Sequence, residues 1–186
     1  MINKLKPLST KGIIILVAGV VFLDQVSKYI AKYALQFRDG PFSVIGSLFQ
    51  LSYVENSGMA FGIHVENKII FTILSIFALI LVVYYLVKSR NEHPLLQMAL
   101  ALILGGAIGN IFDRIVHGKV IDFLDFEFFN ITLPSVKFLF INFEGYYMTR
   151  WPVFNIADSA VTCGMILIAI SVIFVKEPSQ SEVSAT

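Results

Sequence analysis

Two aspartates in this sequence stand where a carboxylate is hard to accommodate. Asp158 lies inside "WPVFNIADSAVTCGMILIAISVIFV", Trp151–Val175, 25 residues in which it is the single charge. Asp122 lies in "GKVIDF", soon after another apolar run, Pro94–Phe112. A charged Asp at the centre of a lipid-embedded helix costs roughly 2.5–3.5 kcal/mol on insertion scales, so an ionisable residue kept there marks a functional site by default. Neither has an evident base on its own element. Asp158 is flanked at three and four residues by Phe154, Asn155, Val161 and Thr162. Asp122 has Gly118, Lys119, Asp125 and Phe126, and Lys119 would reach it only in a helix. Two such carboxylates at one depth would share a proton, because close like charges raise one pKa and leave an acid beside a base. That pair could activate water against a carbonyl without a metal. The residues alone leave three readings open: an aspartic hydrolase, a proton- or cation-coupled transporter, and a structural or binding module.

The remaining polar groups sort by how cheaply a neighbour satisfies them. Asn155 stands three residues before Asp158, on one helix face with it. Asp24 and Lys28 form an i,i+4 pair able to neutralise itself, and Asp113 beside Arg114 has the same bland reading. Asn110 closes the Pro94–Phe112 run, and Asn56 in "NSGMAFG" is a polar group of unassigned role facing the same outer zone. Gly58 and Gly62 suit turns or a close backbone approach. Gly105 and Gly109, with Ala101, form a small-residue step for helix contact in lipid. His64, His93 and His117 are scattered, and no metal motif is present, so no metal or cofactor is expected. Cys163 is alone, which excludes an intrachain disulfide; in its apolar stretch it reads as a buried, inert thiol.

Elements that could position these groups follow from composition. The 186 residues are 56% hydrophobic and 15% charged, a membrane protein's balance. Net charge of +1 without a basic run argues against a nucleic-acid binder. A span needs about 20 apolar residues. The pattern predicts four, at 12–35, 68–88, 94–113 and 151–175, with a polar cytoplasmic tail at 176–186. The first could be a cleaved signal peptide, but no A-x-A site follows and the helical pattern continues through "DQVSKYIAKYAL". Lys4, Lys6 and Lys11, with Lys88 and Arg90, place both termini in the cytoplasm. Connections 36–68 and 113–150 then lie outside, although Arg114, Lys119, Lys137 and Arg150 weaken that argument. At 1.5 Å per residue Asp158 sits about 26 Å from the cytoplasmic end of its helix and Asp24 about 18 Å from its own. The carboxylates therefore converge toward the outer boundary. The expected architecture is a single domain, residues 1–186: an all-α membrane protein of four transmembrane helices with a small outer-face β element around Phe49–Val54. The aromatic stretch Leu124–Arg150 reads as an interfacial β segment resting on headgroups.

Four stretches together carry a family resemblance: "DQVSK" at Asp24–Lys28, "NSGMAFG" at Asn56–Gly62, "GAIGNIFDRIVHGKVIDF" at Gly106–Phe123 and "FNIADSA" at Phe154–Ala160. In this order the chain resembles the lipoprotein signal peptidases (signal peptidase II), bacterial intramembrane aspartic peptidases with an outer β-cradle. The resemblance implies removal of signal peptides from diacylglyceryl-modified prolipoproteins, just before the lipidated cysteine. It implies that Asp122 and Asp158 are the catalytic dyad and that Asn56, Asn110 and Asn155 position substrate or dyad. Gly58, Ala60 and Phe61 would support the site, Asp113 and Arg114 would brace it, and Asp24 and Lys28 would stand behind it structurally. Implied partners are prolipoproteins, membrane lipids and the family's cyclic-peptide inhibitors. No cofactor is implied, and the expected state is a monomer in the bacterial inner membrane. One departure is visible: Leu124–Arg150 looks longer than the short connection of compact members, which suggests an enlarged element on the membrane surface.

Overall fold

Ser9 opens the first helix, α1, Thr10–Leu35, by accepting the Gly12 N–H on its hydroxyl at 3.1 Å. That satisfies one of the donors a helix start leaves unpaired. The computed structural model describes residues 5–57, 59–60, 63–64, 68–138, 141–143 and 146–174. Helix α2, Lys68–Lys88, ends in a lysine that suits the negative end of its dipole. Helix α3, Pro94–His117, begins with a proline, which lacks the N–H that would go unpaired there, and with the His93 ring accepting from Leu95 N. It stops at Gly118, whose φ of 71° is the left-handed conformation that terminates helices. The last helix, α4, is Ile156–Phe174.

Among the described residues α1, α3 and α4 are long and apolar enough to cross a membrane, and α2 contributes a shorter apolar stretch, Thr72–Lys88. Small residues let the helices meet. A Cβ on Gly105 would lie 2.8 Å from Val20 Cβ of α1, and one on Gly164 would lie 2.7 Å from the Ala99 carbonyl of α3. The packed face of α4 is Ala157, Ala160, Gly164 and Ser171. Cys163 lies off that face and is exposed, contrary to the buried thiol expected. An apolar neighbourhood in sequence says nothing about which side of a membrane helix faces its partners.

The β structure is larger than an all-α description allows. Strands β1 (Phe42–Ile45) and β2 (Phe49–Asn56) come from the first connection. Strands β5 (Val120–Leu133) and β8 (Tyr146–Arg150) come from the second. They form one antiparallel sheet in the order β1-β2-β5-β8. Two small hairpins accompany it: β3 (Met59–Ala60) with β4 (Ile63–His64), and β6 (Val136–Phe138) with β7 (Ile141–Phe143). Most of the described aromatic and β-branched residues between 124 and 150 thus pair as strands, which satisfies their backbone groups. Sheet and bundle join where Ala31 and Leu35 of α1 bury Phe123 of β5, flanked by Leu51, Tyr53, Leu124 and Ile156.

A candidate active site where the sheet meets the helices

The span expected at 151–175 starts as a helix only at Ile156, and its two polar residues explain why. The Asn155 side-chain oxygen accepts the Asp158 N–H at 2.9 Å, and Asp158 Oδ2 accepts the Asn155 N–H at 3.2 Å. This reciprocal cap satisfies two donors of the helix start. Residues 151–154 instead pair with β5. Leu124 and Phe154 exchange N–H···O bonds at 2.8 and 3.1 Å, and Trp151 N–H reaches the Phe126 carbonyl at 2.9 Å.

That pairing delivers Asn155 to Asp122, which its side-chain amide meets at Oδ1, 2.7 Å away. Asn56 comes from the other neighbour strand. Asp122 faces Val54 in the β2–β5 register, so Asn56 lies diagonally on the same face. Its amide donates to Asp122 Oδ2 at 2.9 Å. Asn110 of α3 donates to Asp158 Oδ1 at 2.7 Å, and its own oxygen accepts from Asn155 and from Lys28. All four carboxyl oxygens of Asp122 and Asp158 therefore accept a hydrogen bond, three from asparagine amides and one from the Asn155 backbone. Asp122 is 2% exposed. Burial pushes its pKa up to about 6, with the Asp158 charge adding to the rise and the Asn56 and Asn155 bonds opposing it.

A second layer holds this frame. Lys28 lies 2.7 Å from both Asp24 Oδ2 and Asp113 Oδ2, and all three residues are buried. The Gln25 amide bridges the same two aspartates at 3.1 and 3.0 Å. Asp24 also caps α4 from another helix, its Oδ1 accepting the Ala157 N–H at 2.9 Å. Asp113 thus pairs with Lys28 and not with Arg114, because consecutive helical residues point in different directions. Arg114 reaches the Asn110 carbonyl at 3.5 Å, and its charge acts on Asp158, Asp122 and Asp113. Lys119 forms an ion pair with Glu55 and so does not serve Asp122. The Lys119 and Tyr53 hydrogen bonds hold the Glu55 carboxyl below the usual carboxylate range.

The structure brings Asn56, Asp122, Asn110, Asn155 and Asp158 together, with Asp24, Lys28, Asp113 and Arg114 behind or beside them. Ala60 lies in the β3–β4 hairpin, and Gly58 and Phe61 fall outside the described residues. Gln25 went unnoticed in the sequence, although it stands between the two motif residues Asp24 and Lys28. In the sequence Arg150 stands only as a positive charge in an outer connection. Its opposition to Asp125 and Glu127 across a ladder had no signal in a chain read without its strand pairing.

Apolar helices fit to cross lipid, and a carboxylate pair framed by amides where they join a sheet, Asp122 buried and Asp158 half-buried, suit a membrane peptidase of the aspartic class. The family model described as signal peptidase (SPase) II matches residues 16–174, and the chain belongs to that family. It is 40% identical over 162 residues to a lipoprotein signal peptidase of Caldanaerobacter subterraneus subsp. tengcongensis, covering 87% of this chain and 95% of that one. It is 36% identical over 160 residues to that of Staphylococcus aureus (strain JH9), covering 86% of each. A solved structure described as a bacterial membrane enzyme, at 2.3 Å, superposes with a TM-score of 0.73 and 32% identity over 94% of this chain and 98% of that chain. A second, at 1.9 Å, gives 0.70 and 33% over 92% and 98%. Membership decides among the three readings in favour of the hydrolase.

Proposed function

We propose that Asp122 and Asp158 hydrolyse the peptide bond that joins a signal peptide to a diacylglyceryl-modified prolipoprotein, just before the lipidated cysteine. The residue that carries this reading is Asn155. Its side-chain amide donates to Asp122, its backbone N–H donates to Asp158, and its side-chain oxygen fixes the first turn of α4. One residue thereby holds both carboxyl groups in one frame. One member of the pair takes a proton from water as that water attacks the carbonyl carbon. The other, protonated, donates to the carbonyl oxygen; the C–N bond then breaks and the departing amine takes up a proton. Asn56 and Asn110 hold the outer carboxyl oxygens, and Arg114 supplies a positive charge facing the pair. The Asp24–Lys28–Asp113 cluster supports the frame from behind without touching substrate. The site works within a single chain and without a cofactor.

The same reading makes all four helices membrane spans, with both termini in the cytoplasm and the sheet on the outer surface of the bacterial inner membrane. A substrate anchored by its lipid and its own apolar helix presents the scissile bond at the depth of Asp122 and Asp158. Its test is cleavage of a diacylglyceryl-modified prolipoprotein by purified protein in detergent, with a metal chelator present. Asp122→Asn and Asp158→Asn, each with unchanged melting behaviour, are expected to lose at least roughly 10²–10⁴-fold in turnover. Near-normal turnover in either folded variant would remove the dyad assignment.

A further inference from the structure

Arg150, the last residue of β8, faces Glu127 of β5 directly. All three nitrogens of its guanidinium donate. Nε donates to Asp125 Oδ1 at 2.7 Å, Nη1 to Glu127 Oε2 at 3.1 Å and to the Ser47 carbonyl at 3.0 Å, and Nη2 to the Asp125 carbonyl at 3.4 Å. Asp125 is buried, and its other oxygen accepts the Ser52 hydroxyl at 2.6 Å. One planar fork therefore ties β8, β5 and the β1–β2 turn together, a geometry that lysine does not reproduce.

The ladder it clasps carries both halves of the site. Asp122 lies three residues before Asp125 on β5, while Asn155 and Asp158 follow Arg150 on the opposing stretch. Backbone pairing alone leaves this ladder irregular. Leu124 faces Phe154, Glu127 faces Arg150 and Ile131 faces Met148. Three residues along β5 are thus matched by four on its partner, and the next four by only two. A strand slipped by one residue turns its side chains to the opposite face. With the register shifting on both sides of it, the Glu127–Arg150 position is where a side chain must fix the alignment.

We propose that Arg150 is a positioning residue for the hydrolysis: its fork sets the register of the β5–β8 ladder and so the approach of Asn155 and Asp158 to Asp122. This rests on the dyad reading above. Without the fork the site remains but is displaced, and a displacement of about 1 Å costs on the order of 10²-fold in rate.

Glu127 N–H is donated away to Leu48 on the β2 side, while the adjacent Trp151–Phe126 positions are hydrogen-bonded. Glu127 and Arg150 are therefore the closer type of antiparallel pair, suited to a cross-strand disulfide. The experiment uses a Cys163→Ser parent carrying either Arg150→Met or Glu127→Cys with Arg150→Cys. Prolipoprotein cleavage and melting are measured for each, and for the double-cysteine variant both reduced and oxidised. Arg150→Met and the reduced double variant are expected to lose roughly 10- to 100-fold in kcat per folded molecule, with KM within about twofold. Oxidation is expected to restore most of that loss, since the crosslink holds the register without a guanidinium. An oxidised protein as slow as the reduced one, or parent-like kcat in folded Arg150→Met, overturns the proposal. If the reduced form does not fold, the oxidised form decides alone. Inactivity of the wild-type protein and the Cys163→Ser parent alike would instead sink the proposed function, and this inference with it.

Discussion

Asp122 is asked to be buried and ionisable at once, and its energetics record the conflict. Its native pKa of about 6 lies above the ordinary 3.8, chiefly through burial. Between those values the folded protein keeps a proton that the unfolded chain has released. Stability from this group is therefore fully present below the lower value and is lost as pH rises toward the upper one. Two units correspond to about 3 kcal/mol. Melting in detergent is expected to fall as pH is raised from about 4 to about 6, and Asp122→Asn should flatten that slope. A slope unchanged in the variant would mean that other groups carry it. The two aspartates were legible in the sequence because a carboxylate in an apolar setting is costly. Asn155 was legible as a neighbour of Asp158 and, through the family resemblance, as a positioning residue, but not as the cap of α4. An N-x-x-D spacing at the start of an apolar run is a helix-cap signature, and reading it as one would have moved the start of α4 from 151 to 156.

Helix contacts decide whether these side chains arrive. Gly109 of α3 faces Asp24, and an added Cβ would lie 2.6 Å from Asp24 Oδ2, the oxygen bonded to Lys28 and Gln25. Overpacking of this kind typically costs about 1–3 kcal/mol. Gly109→Ala is expected to lower both melting temperature and cleavage rate. Gly19→Ala, in the interior of α1 with open space around its Cβ position, should instead stabilise by about 0.4–1 kcal/mol, because alanine loses less backbone entropy on folding. Equal effects from the two would remove the argument from close approach. The Gly105–Gly109 step was readable as a contact motif, since small residues at that spacing have few other uses in lipid. Its targets were not: Gly105 meets Val17 and Val20, while Gly109 meets a charged cluster. Strand β2 was foreseen from alternation around Phe49–Val54. The β character of β5 from Leu124 onward was foreseen as part of an interfacial segment, but its start at Val120 and its pairing with β2 were not.

At the scale of the molecule, helices that place their polar ends against one sheet imply a definite orientation in the membrane. In a Cys163→Ser background, Phe37→Cys lies just beyond α1 and Asn91→Cys in the α2–α3 link, both at exposed positions. A membrane-impermeant maleimide applied to intact spheroplasts is expected to label the first and to reach the second only after lysis. The reverse pattern would invert the proposed topology. Three of the four helices could be read from apolar length alone, because crossing lipid constrains length more tightly than any soluble fold does. How the two outer connections interlock could not, because strand pairing between segments some seventy residues apart leaves no local trace. The bond from the Ala157 N–H to Asp24 has a further consequence. Without the last helix in place, Asp24 Oδ1 lacks the donor that the folded bundle gives it, while Oδ2 keeps Lys28 and Gln25. The carboxyl pair therefore comes into being only when biosynthesis has delivered both ends of the bundle. On the proposed dyad, a chain without its last helix holds one carboxylate of the two and has no pair to cut with.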